Sequence, residues 1–301
     1  MSHGIYGQEG GAMSTQASKL QALMDSHRTQ NGATRVIAVT SGKGGVGKST
    51  LSANISYVLA SRGFKVGLMD ADIGLANLDV MFNVRAERNI LHVLKGEARF
   101  EDIVVRLEEN LFLIPGESGD EILKFSDATI VSRFIDESQA LEGLDFLIID
   151  TGAGIGDTIQ MFLRAADEVV VVTVPDPAAI TDAYAMVKVI SKIKSDLSMV
   201  VNQVRNSREG MKIFDTIKKV AQGNIGEDLN LRMLGSVRSD ASVARSVKQR
   251  LLVCKELANI APAADIEAIA AALADKKEHK MLESGKEGGI GTFFKKLLGQ
   301  F

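Results

Sequence analysis

The stretch Ser41-Gly42-Lys43-Gly44-Gly45-Val46-Gly47-Lys48-Ser49-Thr50 decides how this chain is read. It fits the pattern G-x-x-x-x-G-K-[ST], with Gly42 and Gly47 as the outer glycines and Lys48-Ser49 as the closing pair. Arg35-Val36-Ile37-Ala38-Val39-Thr40 before it reads as a buried strand, and Ser49 to Ser61 after it reads as a helix. A glycine-rich loop in that setting turns its backbone N–H groups around phosphate oxygens, while the following helix aims its positive end at the same anion. Lys48 is expected on the β- and γ-phosphate oxygens and the Ser49 hydroxyl on Mg²⁺, with residues 42–50 as the cradle for a nucleotide.

Working outward, Lys65 to Asp72 reads as a second strand ending in two carboxylates, Asp70 and Asp72. Leu144 to Asp150, followed by Thr151-Gly152-Ala153-Gly154, reads as a central strand delivering a third carboxylate to the metal side of the phosphates. Ligands of an open parallel sheet bind at the carboxyl ends of its strands, which gathers all three near the loop. Ser49 and Asp150 are therefore expected toward Mg²⁺, while Asp70 and Asp72 could hold the ion, orient an attacking water or cap the helix that follows. Further strands are expected at 110–115, 168–175, 198–206 and 231–237, with helices at 127–141, from 176, at 207–222, at 240–249 and from 262 to 277. Apolar strands alternating with helices predict an α/β fold, a doubly wound, mostly parallel sheet with helices on both faces. His92, among apolar neighbours, reads as a packing or surface histidine.

Length and composition allow such a core, with 301 residues of which 46% are apolar. A net charge of −3 argues against a protein coated in positive charge for nucleic acid, so direct DNA binding is not expected. Arg238, Arg245, Lys248 and Arg250 give one local basic tint, which a solvated helix face explains. Cys254 is the single cysteine, so the chain forms no internal disulfide and offers no cysteine pair to zinc or an iron–sulfur cluster. The expected location is cytoplasmic.

The two ends add what the core lacks. Residues 1–34 form an N-terminal extension, in which 1–12 read as an unstructured or added leader ahead of Met13, and 14–24 as a short helix. Ala17, Leu20, Leu23 and Met24 lie on one face of that helix, suited to self-docking or to a partner's groove. The nucleotide-binding domain is expected to span 35–276, a charged and Gly-rich linker 277–289, and an amphipathic helix 290–301. Ile290, Phe293, Phe294, Leu297, Leu298 and Phe301 share one helical face flanked by Lys295 and Lys296. So short a helix is marginal alone and needs a surface: the protein's own body, a partner groove or an anionic membrane. Basic flanks and a polar tether favour the membrane, where two such helices in a dimer would bind by avidity.

Lys43, in Lys-Gly-Gly-Val-Gly-Lys-Ser, is a second lysine beside the first glycine, and this spelling resembles the deviant loop of the MinD/ParA class of ATPases. The run Asp70-Ala-Asp72-Ile-Gly-Leu-Ala-Asn77-Leu-Asp79 is similar to the second signature of that class. The resemblance implies ATP-dependent homodimers in which Lys43 crosses to the partner's nucleotide, with catalysis by Lys43, Lys48 and Asp72. By the same likeness, Asp72 positions the hydrolytic water, Asp70 supports the metal and the loop, Asn77 lies in the γ-phosphate switch, and Asn202 lies by the adenine. Gln16-Ala17-Ser18-Lys19-Leu20 resembles the activation helix of the FlhG (FleN) group of flagellar-number regulators, with Thr15 and Gln21 in place of the group's Asp and Arg. That likeness implies a peripheral position on the inner face of the cell membrane and, as partners, the GTPase FlhF, flagellar switch-complex proteins and a flagellar transcription activator. The alternatives are a MinD-type division-site regulator, a ParA-like DNA partitioner, or a nucleotide-dependent scaffold whose hydrolysis is not its output.

Overall fold

In the computed structural model, which describes residues 34–72, 78–116, 128–226, 228–283 and 289–299, β1 (Arg35–Ser41) is buried along its whole length. That burial is what a central strand covered on both faces requires, and its apolar run supplies it. Around it the chain forms α1 (Lys48–Ser61), β2 (Val66–Ala71), α2 (Ile90–Lys95), β3 (Val105–Glu108), β4 (Leu111–Ile114), α3 (Ala128–Ser138), β5 (Phe146–Ala153) and α4 (Asp157–Ala165). Then come β6 (Glu168–Thr173), α5 (Pro177–Ile190), β7 (Asp196–Val204), α6 (Ser207–Ile225), β8 (Asn230–Arg238), α7 (Ala241–Lys248), α8 (Ala261–Glu283) and α9 (Ile290–Leu298). Short helical turns at Leu78–Met81, Phe100–Ile103, Gln139–Leu141 and Val253–Glu256 complete the described elements.

The strands form one sheet in the order β3-β4-β2-β5-β1-β6-β7-β8. All neighbours are parallel except β3, which runs antiparallel to β4. The parallel α/β expectation holds, and β3 is an addition. Its four residues, Val105-Arg106-Leu107-Glu108, are only half-buried at the sheet edge, too short to show a period.

Each face of the sheet has its own apolar cluster. On one side α1 and α8 cover Ile37, Leu68, Ile148, Val170 and Val200. On the other, Val36, Ile149, Val171 and Val201 meet Phe134 of α3, Phe162 of α4, Met186 of α5 and Phe214 of α6. The α8 helix runs on to Glu283, past the point where a linker was expected to begin. Its last residues, Lys-Lys-Glu-His-Lys-Met-Leu-Glu, are mostly good helix formers, so charge alone does not end the helix.

The tail departs most from expectation. In this structure α9 lies on α3, α4 and the turn Gln139–Leu141 of its own chain. Ile290, Phe293, Phe294, Leu297 and Leu298 are buried, while Lys295 and Lys296 face solvent. The Phe294 ring sits 5.0 Å from that of Phe134 and 5.6 Å from that of Phe100, with Phe293 at 4.9 Å. The face expected on a membrane is spent here on the protein's own body, because a tethered helix meets an intramolecular aromatic groove at high effective concentration. The expectations for residues 1–33, Asn77 and Phe301 fall outside the described residues.

At the amino ends of the strands, Glu168 binds three groups. Arg35 pairs with its Oε2, while Lys276 of α8 at 2.8 Å and the Ser198 hydroxyl at 2.6 Å donate to Oε1. Burial alone would raise the Glu168 carboxyl, but Arg35, Lys276 and Ser198 hold it below its ordinary 4.5. A depressed carboxylate contributes stability that is present above pH 4.5 and lost as pH falls through the folded-state value. Glu168→Gln should therefore cost about 3 kcal/mol at neutral pH, by leaving Arg35 and Lys276 short of their anion. Urea melts at pH 7 and below pH 4.5 should also show a shallower acid loss in the variant than in the wild type.

Candidate nucleotide site

The loop of residues 42–47 joins β1 to α1 at the carboxyl edge of the sheet. Gly45 and Gly47 have φ of 81° and 87°, and Gly47 is the residue from which α1 starts. A methyl group on Gly47 would lie 2.5 Å from the Asn202 amide nitrogen, so glycine is required there twice over. Asn202, at the end of β7, donates that amide to the Val46 carbonyl at 2.8 Å, while its own oxygen accepts from the Gln203 N–H. The asparagine expected beside the adenine thus also holds the loop in shape. Gly42 packs so closely on the Asp182 carbonyl of α5 that a side chain there would clash.

Lys48 is 6% exposed and donates to Asp150 Oδ1 at 2.9 Å, with Asp72 Oδ2 at 3.9 Å. Ser52, one turn along α1, donates to the same Asp150 oxygen at 3.1 Å. The structure therefore brings Lys48, Asp72 and Asp150 together as the strand endings predicted, and adds Ser52, whose i+4 spacing from Lys48 was readable on the helix. Burial pushes the Asp72 carboxyl above the ordinary aspartate range; Lys48 pulls it down and Asp150 pushes it up.

Asp70 is placed differently. Its carboxylate accepts from the Asp72 N–H and the Leu78 N–H, both at 3.2 Å, so it ties together the two ends of the segment between them. It is a brace for that segment first. The carboxylates of Asp70 and Asp150 and the Ser49 hydroxyl form an all-oxygen donor set, the kind that fits Mg²⁺ with its retained waters. Asp70 and Asp150 stand opposite each other on the neighbouring strands β2 and β5, and Ser49 lies in the first turn of α1. Bound there, Mg²⁺ would neutralise charge between the β- and γ-phosphate oxygens.

Lys43 points to its own chain in this structure. Its Nζ lies 3.1 Å from Oδ1 of Asp176, both side chains being nearly half exposed. Asp176 caps α5 by accepting from the Ala179 N–H, and that bond and the Lys43 bond lower its pKa. Asp176-Pro177 was legible as a helix start, but a contact to a lysine 133 positions away was not. The basic residues from the end of β8 onward are partly engaged, Arg238 by Asp265 at 2.7 Å and Arg250 by Asn83 at 3.1 Å. Among the described residues no cluster of His, Cys, Asp and Glu could hold a metal through three or more such side chains.

A model of the ParA family, described as NUBPL iron-transfer P-loop NTPase, matches residues 32–274. The flagellum site-determining protein YlxH of Helicobacter pylori is 48% identical over 292 residues, 95% of this chain and 99% of that protein. The antiactivator FleN of Pseudomonas aeruginosa is 32% identical, over 88% of this chain and 93% of its own. Among solved structures, the septum site-determining protein MinD of Pyrococcus horikoshii, complexed with Mg-ADP, superposes with a TM-score of 0.64 at 25% identity, covering 81% of this chain and 98% of that one. The iron transfer named in the family description finds no thiolate pair here. The single Cys254 is buried, and burial pushes its thiol up to about 12. The chain belongs to the ParA family of P-loop NTPases, as an ATPase of the MinD/ParA type that works on ATP with Mg²⁺.

Proposed function

We propose that this ATPase is a nucleotide-driven switch that sets the number and placement of flagella, with ATP pairing two copies and freeing the tail for an anionic membrane surface. The observation that carries the flagellar reading is the 48% identity to YlxH across nearly the whole of both chains. A cytoplasmic protein that visits the inner face of the membrane fits the tail, and no helix among the described residues is long and apolar enough to cross a membrane. FlhF, flagellar switch proteins and a flagellar transcription activator are the partners this reading expects. Affinity capture from cells grown with the tagged full chain should recover flagellar proteins; recovery of division proteins instead would overturn the assignment.

The chemistry divides among named residues. Lys48 exchanges Asp150 for phosphate oxygens, which frees Asp150 to face the metal side. Asp72 stands beside that lysine, and its raised pKa makes it a stronger base than a free aspartate, suited to holding and deprotonating the attacking water. The Lys43–Asp176 pair is exposed and therefore weak, so Lys43 can leave it for a phosphate on a second copy. Gel filtration with light scattering in ATP tests both roles at once. Asp72→Ala should slow turnover at least about 100-fold and accumulate dimer. Lys43→Ala should remain monomeric.

A docked α9 lowers the apparent affinity for membrane by the fraction of molecules in which it is free. Deleting residues 290–301 should abolish sedimentation with anionic vesicles and leave ATP binding intact. Because that deletion bares Phe100 and Phe134, a second variant separates anchoring from folding. Lys295 and Lys296 face solvent in the docked state, so reversing both to Glu should leave the fold alone yet weaken vesicle binding at least about tenfold.

A further inference from the structure

Among the described residues, Asn83, Gln203 and Arg250 are the non-glycine residues with a positive φ, and two of them are bonded to each other. Arg250 (φ 58°) follows α7, and Asn83 (φ 52°) follows the turn Leu78–Met81. The two endings are built alike. After α7, Arg250 donates its N–H to the Val247 carbonyl at 3.1 Å and Leu251 donates to that of Ser246 at 2.9 Å. After the turn, Asn83 donates to Val80 at 3.2 Å and Val84 donates to Asp79 at 2.9 Å. Glycine is the easy choice at the left-handed position of such an ending. Instead, one position carries Arg250 and the other Asn83, and the guanidinium donates to the Asn83 side-chain oxygen at 3.1 Å. Two strained side chains kept for one contact point to a shape that is held for use.

What that contact holds together is exposed and apolar. Val80, Val247 and Leu251 are 48%, 39% and 40% exposed, and they are half of the six large apolar side chains exposed among the described residues. Val80 lies beside Asn83, and Val247 and Leu251 lie beside Arg250, so the bond draws them onto one surface. The same surface carries charge that nothing offsets. Arg245 bonds the neutral Ser242 hydroxyl at 3.2 Å and Arg250 a neutral amide oxygen. Neither they nor Lys248 forms an ion pair with a described carboxylate. Asp240, the nearest acid in the chain, caps α7 by accepting from the Ser242 N–H at 2.7 Å. On either side the pattern differs, since Arg238 pairs with Asp265 and Lys255 with Glu108.

We infer that the face formed by α7 and the turn Leu78–Met81, clamped by Arg250 and Asn83, docks a segment of a partner protein in which acidic and large apolar side chains alternate. Three open cations in a chain of net charge −3 select an acidic partner. The exposed Val80, Val247 and Leu251 select a protein over a nucleic acid, whose backbone phosphates offer such side chains nothing to pack on. The turn hangs from Asp70 through the Leu78 N–H at 3.2 Å, so a partner seated here touches an element built onto the nucleotide site.

A phage-displayed library of random peptides, selected on the full-length protein and counter-selected on Val247→Asp, tests this. It should enrich peptides in which Asp or Glu alternates with Leu, Ile or Phe. Synthetic copies should bind the wild type and lose at least about tenfold in affinity to Lys248→Glu, whose urea midpoint and basal ATP turnover should match the wild type. Asn83→Gly suits the left-handed backbone and keeps every charge, so it should leave the urea midpoint unchanged while weakening the peptides at least about threefold. A selection that yields no acidic sequences, or acidic peptides that bind Lys248→Glu as tightly as the wild type, would sink the proposal. So would a face covered in another way, seen as loss of the ATP-dependent dimer in Val247→Asp or as duplex DNA bound by the wild type and released by Lys248→Glu. An Asn83→Gly variant that loses stability but not peptide affinity would reduce the clamp to a structural staple and remove it from the docking face.

Discussion

The buried contact of Lys48 with Asp150 is the constraint on which the rest of this molecule turns. It joins the helix that starts at the phosphate loop to the central strand β5, and does so at 2.9 Å in a place almost closed to water. A lysine so placed needs an anion, and Asp150, with Asp72 beside it, supplies one from the protein itself. Asp150 and Asp72 thus hold the lysine of the phosphate loop in position.

The two faces of the sheet carry separate duties. The α1 and α8 side is a closed core, in which even the polar Asn54 of α1 is used up, accepting from the Cys254 N–H at 2.8 Å. The α3, α4 and α9 side is completed by a helix that is the last described element of the chain. Its Phe294 packs against Phe100 and Phe134, whose rings themselves lie 4.9 Å apart. A core finished by a terminal helix is easier to open locally than one finished by a central strand, since few backbone bonds cross to it. That asymmetry is the physical basis for reading the tail as a moving part.

Much of the site was legible because it is local or nearly so. The glycine spacing of residues 42–47 and the Lys48-Ser49 pair state their chemistry in ten consecutive residues, and strands that end in Asp70, Asp72 and Asp150 announce which sheet edge they serve. The contacts that were not legible are long-range. Asp176 meets Lys43 and Asn202 holds Val46, each through a packing of elements that no spacing encodes. The edge strand β3 escaped for a different reason, being four half-exposed residues whose strand character comes from pairing with β4.

The amphipathic tail marks the boundary between the two kinds of knowledge. Its sequence by itself determined that a helix would form with one apolar face and two lysines at its flanks, because side-chain period and helix geometry are local properties. Likewise the phosphate loop, its carboxylates and the α/β alternation follow from residue order alone. Only the tertiary structure decided what the apolar face touches, since that depends on whether distant segments such as Phe100, Phe134 and α4 build a groove within reach. It also decided that one wall of this groove is α4, the helix that follows the strand carrying Asp150.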